Sequence, residues 1–187
     1  MNHVCVKSRL SQYLATLDAT GLWLGLLSLR LILGWDFFES GLEKFNGDNW
    51  FADIQDQFPF PFNLVPPNIS WHVATWFELV GGIALVIGLG TRFFSVSLLV
   101  LSVVAIASVH WPEAWRTWGE LAQGYVFTDK GFGNFKYPVV LMGMLWTLLW
   151  MGPGRLSLDH VLRRCCVSHN AATPTTLAAS MTHKPTV

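Results

Sequence analysis

The stretch LWLGLLSLRLILGWDFFESGLEKF, Leu22 to Phe45, decides how the rest of the chain is read. At about 1.5 Å per residue it is long enough to cross a hydrocarbon core of about 30 Å, and its background is apolar. Yet Arg30, Asp36 and Glu39 lie inside it, and Glu43 and Lys44 close it. An ionisable group at the centre of a transmembrane helix costs about 2.5–3.5 kcal/mol on insertion scales. Charges at that depth are tolerated only where they face protein or water. The stretch therefore reads as the polar spine of a small membrane bundle.

Projected at about 100° per residue, Asp36, Glu39 and Glu43 share one face, at spacings of three and four. Arg30 and Lys44 lie together on another face. Glu43 and Lys44 are close enough to the end to be ordinary interfacial residues. Arg30 and Asp36 are deeper and require partners on other helices or on a ligand.

The 187 residues suffice for one domain. Hydrophobic residues make up 52% and charged residues 13%, with zero net charge, which excludes a nucleic-acid binder. Ten tryptophans suit the amphipathic belts at membrane surfaces. Cys5, Cys165 and Cys166 lie toward the chain ends, with no CxxC pair and no disulfide framework. The first apolar run is too long and too charged for a signal peptide, so a retained anchor is expected.

Along the chain, residues 1–20 form a polar lead-in with Lys7, Arg9 and Asp18. A membrane domain is expected over 21–160, with spans at about 22–42, 71–90, 93–111 and 137–152. Residues 161–187, Ala/Thr/Pro-rich beyond Ser168, read as an unstructured tail. In the first long connection, Trp50, Phe51, Ile54 and Phe58 recur at helical spacing opposite Asp53, Gln55 and Asp56, the pattern of a surface-lying amphipathic helix. Pro59, Pro61, Pro66 and Pro67 then forbid regular helix and make a stiff aromatic loop, either a lid or a binding surface. In the second connection, Trp115, Trp118, Leu121 and Tyr125 trace another helical face, and Gly131 to Asn134 form a flexible turn. The expected fold is thus all-α: a four-helix transmembrane bundle with two surface helices in its outer connections.

In the second span, Gly81 and Gly82 follow Glu78 by three and four residues. They share its face, so the glutamate points into a tight helix contact. Lys7, Arg9, Arg92, Arg155, Arg163, Arg164 and Lys184 fall on one side of the membrane by alternation of the spans. The long connections hold more acids than bases. By the positive-inside rule both termini are cytoplasmic and both connections outside. Asp36, Glu39, Glu78 and His110 then gather in the outer half beneath the aromatic loops. Arg30 can reach toward them by snorkelling. His110, just before Pro112, reads first as an interfacial residue and only second as a ligand contact.

Arg30-x-x-x-Gly34-x-x-x-Phe38-x-x-Gly41-x-x-Lys44, then Glu78-Leu79-x-Gly81-Gly82 and Gly88-x-x-Thr91-Arg92, resembles the DoxX family of small four-helix membrane proteins. The similarity runs from about Leu26 to Asp159. Residues 49–63, 109–112 and 128–134 are similar to its HvfX branch, which accompanies maturation of small copper-binding modified peptides in proteobacteria. The resemblance implies a bacterial inner-membrane protein, a quinone-linked redox role, and peptide-maturation partners. Arg30, Lys44, Glu78 and Arg92 match the family's polar pattern.

For a quinone, Glu78 with Asp36 or Glu39 could carry protons, and Arg30 could polarise a carbonyl. His110, Lys44 and Arg92 complete the set as cofactor contacts. No haem, flavin or iron–sulfur motif is present, so electrons would enter from a partner or substrate. Direct copper ligation is not expected: copper(I) favours thiolates and thioethers, and Met142, Met144 and Met151 form no Met-x-x-Met array. The alternative is a non-enzymatic anchor or docking and export partner in the same copper-stress system. Two readings of Arg30 and Glu78 stay open, chemistry or an interhelical ion pair. A homo-oligomer also stays open.

Overall fold

The computed structural model describes residues 2–127 and 133–171, with side chains from 9 to 165. The first helix, α1 (Asn2–Asn46), runs without a break from the polar lead-in through the whole charged stretch. At 45 residues it is about 67 Å long, so it projects well beyond the bundle it enters. The lead-in forms no separate element, because neither Gly nor Pro interrupts it before Gly21.

A second helix, α2 (Pro67–Ile87), begins with Pro67 in its first turn, where the missing N–H is no loss. It ends at Gly88, whose φ of 72° is left-handed. Gly88 N–H donates to Leu85 O at 3.2 Å and Leu89 N–H to Ala84 O at 2.9 Å, closing a Schellman turn. The third helix, α3 (Thr91–Ala105), follows at once and widens into a π-helical turn over Ile106–His110. A short α4 (Trp118–Gln123) is capped by Thr117, whose hydroxyl accepts from Glu120 N–H at 3.2 Å. Then come α5 (Lys136–Met151) and α6 (Leu158–Ala171).

Helices α1, α2 and α3 with its π turn are long and apolar enough to cross a membrane. The fourth apolar helix, α5, has 16 residues, about 24 Å, and packs along α3. Large apolar side chains such as Trp35, Trp76, Ile83, Val103 and Trp146 are exposed on the outer faces, while Arg30 and Glu78 are buried within. That polarity is what a lipid solvent selects: the protein is membrane-embedded.

The core has two parts. Leu33, Leu85, Leu98, Leu145 and Leu148 fill the middle of the bundle. Phe51, Phe58, Trp71 and Ala74 form a second cluster at the end bearing the long connections. Close approach of α1 to α2 rests on glycine. A Cβ at Gly82 would stand 2.7 Å from Gly34 O, and one at Gly41 would stand 2.8 Å from Leu79 N. Gly81 turns instead to α3, where a Cβ would lie 3.3 Å from Leu98.

Three expectations change in detail. The aromatic segment Trp50–Gln57 is a kinked 3₁₀ helix, and its apolar face packs on the bundle rather than on lipid, because Phe51 and Phe58 find Trp71 and Ala74 beneath them. The surface helix expected over Trp115–Tyr125 shortens to α4, with Trp118 79% exposed. Residues 161–171, expected in an unstructured tail, continue α6, because Leu158, Val161, Leu162 and Cys165 recur at helical spacing. The remainder of that tail lies outside the described residues. So do Gly131 and Phe132 of the expected flexible turn, of which Gly133 has a φ of 84°.

Candidate functional site

The face of α1 that bears Arg30, Gly34, Gly41 and Lys44 is the face that meets α2. At one end of this seam, Lys44 Nζ donates to Glu78 Oε2 at 2.8 Å. The same ammonium donates to Ser40 Oγ at 2.8 Å, and Ser40 Oγ donates to Glu78 Oε2 at 3.3 Å. Glu78 is 8% exposed. One carboxylate oxygen therefore carries both the ion pair and the hydroxyl contact. Among the described residues this is the single ion pair.

Lys44, Ser40 and Glu78 form the polar wall of a cavity of about 590 Å³. Its roof is the aromatic segment, with Trp50, Phe51, Ile54 and Phe58, and its floor includes Phe37, Leu101 and Leu141. The π turn supplies Ser108, Val109 and His110 to a third side. His110 closes that turn and faces the cavity. Ser108 Oγ donates back to Val104 O at 2.7 Å. His110 Nδ1 lies 2.6 Å from Asn134 Oδ1, and His110 O accepts from Gly133 N–H at 3.0 Å. The second long connection is thus tied back to the cavity mouth. Tyr137, at the start of α5, also lines the cavity, with Asp36 close enough to act on its hydroxyl.

The structure therefore brings Glu78, Lys44 and His110 onto one cavity, with Asp36 behind Tyr137. Glu39 is exposed on α1, near enough to act on Tyr137 electrostatically. Arg30 and Arg92 lie elsewhere. Arg30 is 1% exposed, and its guanidinium is spent on four backbone carbonyls. Nε donates to Leu85 O and Nη2 to Val86 O, both at 2.8 Å; Nη1 donates to Pro153 O at 2.8 Å and Leu156 O at 2.7 Å. The expected snorkelling of Arg30 toward Glu78 does not occur, nor does the ion pair between them. The carbonyls that end α2 lie nearer, and they carry the negative end of its dipole. Lys44 takes Glu78 instead. Arg92 is exposed at the same far end and donates to Trp150 O at 3.4 Å.

Ser40, Tyr137, Asn134 and the π turn were not singled out from the sequence. Ser40 could have been: it stands one turn before Lys44 on α1. The widened turn leaves no composition signal.

Chemically, the cavity is an apolar slot within the usual range for small-molecule sites, about 300–1,000 Å³, with its polar groups at the rim. A ligand with a flat hydrophobic body and a few hydrogen-bond acceptors would find an ammonium at Lys44, a hydroxyl at Tyr137 and an imidazole at His110. Glu78 is the carboxylate that can exchange a proton with such a ligand.

Comparison with known proteins adds three relatives. The DoxX family description matches residues 25–111. An uncharacterized protein of Haemophilus influenzae is 44% identical over 148 residues, 79% of this chain and 89% of that protein. An uncharacterized membrane protein of Mycobacterium tuberculosis is 29% identical over 153 residues, 74% of this chain and 81% of that protein. A Bacillus subtilis protein named "Putative oxidoreductase CatD" is 33% identical over 86 residues, 46% of this chain and 60% of that protein. No solved structure matches the chain.

Proposed function

The chain belongs to the DoxX family, and from that premise we propose that it is a quinone-linked redox component of a bacterial inner membrane. The observation that carries this reading is the 590 Å³ apolar cavity closed at its polar wall by Lys44 and Glu78. The shared similarity with a protein named as an oxidoreductase supports it. In this reading α5 is the fourth span, both termini are cytoplasmic, and the cavity lies in the periplasmic half. Lys and Arg clustering at the opposite end supports that orientation.

A bound quinone would supply an acceptor of two electrons and two protons. The cavity suits such a ring, being lined by aromatic and aliphatic groups with donors at its edge. Lys44 donates a hydrogen bond to a carbonyl oxygen. Glu78, its Oε2 held by Lys44 and Ser40, holds and releases a proton at Oε1. Asp36, beside Tyr137, and Glu39 beyond it form the path by which protons reach solvent. His110 orients the ring from the π turn. The carbonyl-polarising role expected of Arg30 passes to Lys44, since Arg30 is occupied at the far end, and Arg92 likewise acts on the fold.

The biological setting we assign is maturation or handling of copper-binding modified peptides, on the likeness of residues 49–63 and 109–112 to the HvfX branch. A second reading, a docking or export partner in that setting, is favoured by the exposed apolar groups of the two long connections, Phe60, Leu64 and Trp118.

The test is extraction from native membranes in mild detergent, with bound quinone and metal quantified. Stoichiometric quinone, lost in Glu78→Gln, is the expected result. Neither quinone nor metal, with a peptide or maturation protein co-purifying, would overturn the redox reading and favour docking.

A further inference from the structure

A second cavity, of about 330 Å³, lies at the other end of the bundle and plays no part in the reading above. Its lower wall is apolar: Leu22 and Leu26 of α1, and Met151 at the end of α5. Its upper rim is basic: Arg155, His160 and Arg163.

The rim is built by the strap between α5 and α6. Gly152 and Gly154 take φ values of 78° and 75°, which L side chains rarely adopt, and a Cβ on Gly154 would stand 3.3 Å from Leu26. The strap is thus pressed against α1. Arg30 holds it from inside through Pro153 O and Leu156 O. With those carbonyls turned inward, Arg155 lies outward, its guanidinium carbon 4.4 Å from the centre of the Trp23 ring. Asp159 fastens the next turn, its carboxylate accepting from Gly90 N–H at 2.8 Å and Thr91 N–H at 3.1 Å.

Two features give the rim an unmet demand. Neither Arg155 nor Arg163 has a carboxylate within ion-pair distance among the described residues; Asp159 is spent on the α3 amides, and Asp18 makes no ion pair. His160 Nε2 is buried with no hydrogen-bond partner. Two guanidinium groups and an imidazole nitrogen above a greasy slot, beside a tryptophan at the level where the spans end, match one chemistry. That chemistry is a phosphate attached to an acyl chain.

We propose that this groove binds the phosphate of an anionic phospholipid, with an acyl chain along Leu22, Leu26 and Met151. Arg155 is preorganised by stacking on Trp23, so less side-chain freedom is lost on binding. Arg163 and His160 close the anion from α6. The bound lipid holds α6 against the bundle.

Native mass spectrometry of the full chain in detergent tests this, with phosphatidylglycerol and phosphatidylethanolamine of matched chains as probes. The expected result is at least a tenfold preference for phosphatidylglycerol. That preference falls to about onefold in Arg155→Gln/Arg163→Gln, remains in Arg155→Lys/Arg163→Lys, and is unchanged in Arg116→Gln on the opposite connection. Equal retention by wild type and the double glutamine variant would overturn the proposal. So would displacement by millimolar inorganic phosphate, which would assign the rim to free phosphate. Should the double variant fail to fold, a photoreactive phosphatidylglycerol on wild type decides: labelling at Trp23 or Met151 supports the site, and labelling spread over the lipid-facing surface refutes it.

Discussion

Lys44 and Glu78 meet across the seam between α1 and α2, Nζ to Oε2 2.8 Å, with Ser40 bridging them. The contact is possible because Gly34, Gly41 and Gly82 let the α1 and α2 backbones approach. A charge pair taken out of water is costly to break from one side, about 3–5 kcal/mol, yet replacing both partners with apolar groups is often neutral. This asymmetry separates a structural role from a chemical one. Glu78→Gln keeps a hydrogen-bond acceptor for Lys44, so the protein should still insert and accumulate while losing bound quinone. Lys44→Met/Glu78→Leu should accumulate near wild-type level and also lack quinone. Recovery of quinone in that double variant would refute a chemical role for the pair. Abolished accumulation in Glu78→Gln, restored by Lys44→Met/Glu78→Leu, would mark the residue as structural.

Gly82 faces Gly34 O so closely that any side chain must part the helices. Gly82→Leu should destabilise the bundle by about 1–3 kcal/mol, the usual cost of overpacking. It should also separate Lys44 from Glu78. Thermal unfolding in detergent reads the first effect and bound quinone the second. Gly143, which has open space around its Cβ position, is the control: Gly143→Leu should leave both unchanged.

Arg30 joins α1 to the end of α2 and to the strap before α6. Removing it strands buried carbonyls at about 1–3 kcal/mol each. Arg30→Ala should lower accumulation more than any cavity substitution. Arg30→Lys should recover only part, because an ammonium lacks the planar fork that reaches four acceptors. Quinone per folded molecule, measured on the surviving fraction, should stay at wild-type stoichiometry. Selective loss of quinone in Arg30→Lys at normal accumulation would return Arg30 to the redox site.

Phe51 roofs the cavity, stacked edge-on against Trp71 at 5.0 Å and Phe58 at 5.2 Å. Phe51→Ala should cost about 3–5 kcal/mol at most, the range for a buried aromatic, and should release quinone. Phe60→Ala, at the 81% exposed tip of the same connection, should change neither stability nor quinone. It should weaken peptide or protein capture if the lid is a docking surface. Co-purification from native membranes distinguishes the two.

Asp159 caps α3 through Gly90 and Thr91 N–H. Asp159→Ala should cost about 0.5–2 kcal/mol, read by thermal unfolding. Asp159→Asn, which keeps an acceptor oxygen, should cost less.

Much of this was legible in one dimension. A charged residue inside an apolar helix must face protein, so Arg30, Asp36 and Glu78 could be turned inward from spacing alone. The same arithmetic put Arg30 and Lys44 on one face, and it put Gly82 beside Glu78. Phe51 and Phe58 showed their helical spacing, and Pro59 to Pro67 announced an irregular aromatic loop. The end of α2 at Gly88 and the start of α3 at Thr91 were readable as a glycine turn.

The partners were not readable. Arg30 is satisfied by carbonyls 55 to 126 residues away, and a backbone acceptor has no side-chain signature. An arginine and a glutamate in neighbouring helices look like a pair until the height of each along the bundle is known. Only the packing of α1 on α2 set Lys44, not Arg30, level with Glu78. The π turn that presents His110, and the strap that aims Arg155 at Trp23, likewise depend on contacts between distant segments. Periodicity in the sequence determines which face of each helix turns inward, because burial is decided residue by residue. The pairings across those faces were decided by tertiary structure, because they depend on the relative shift of helices that the chain itself does not encode locally.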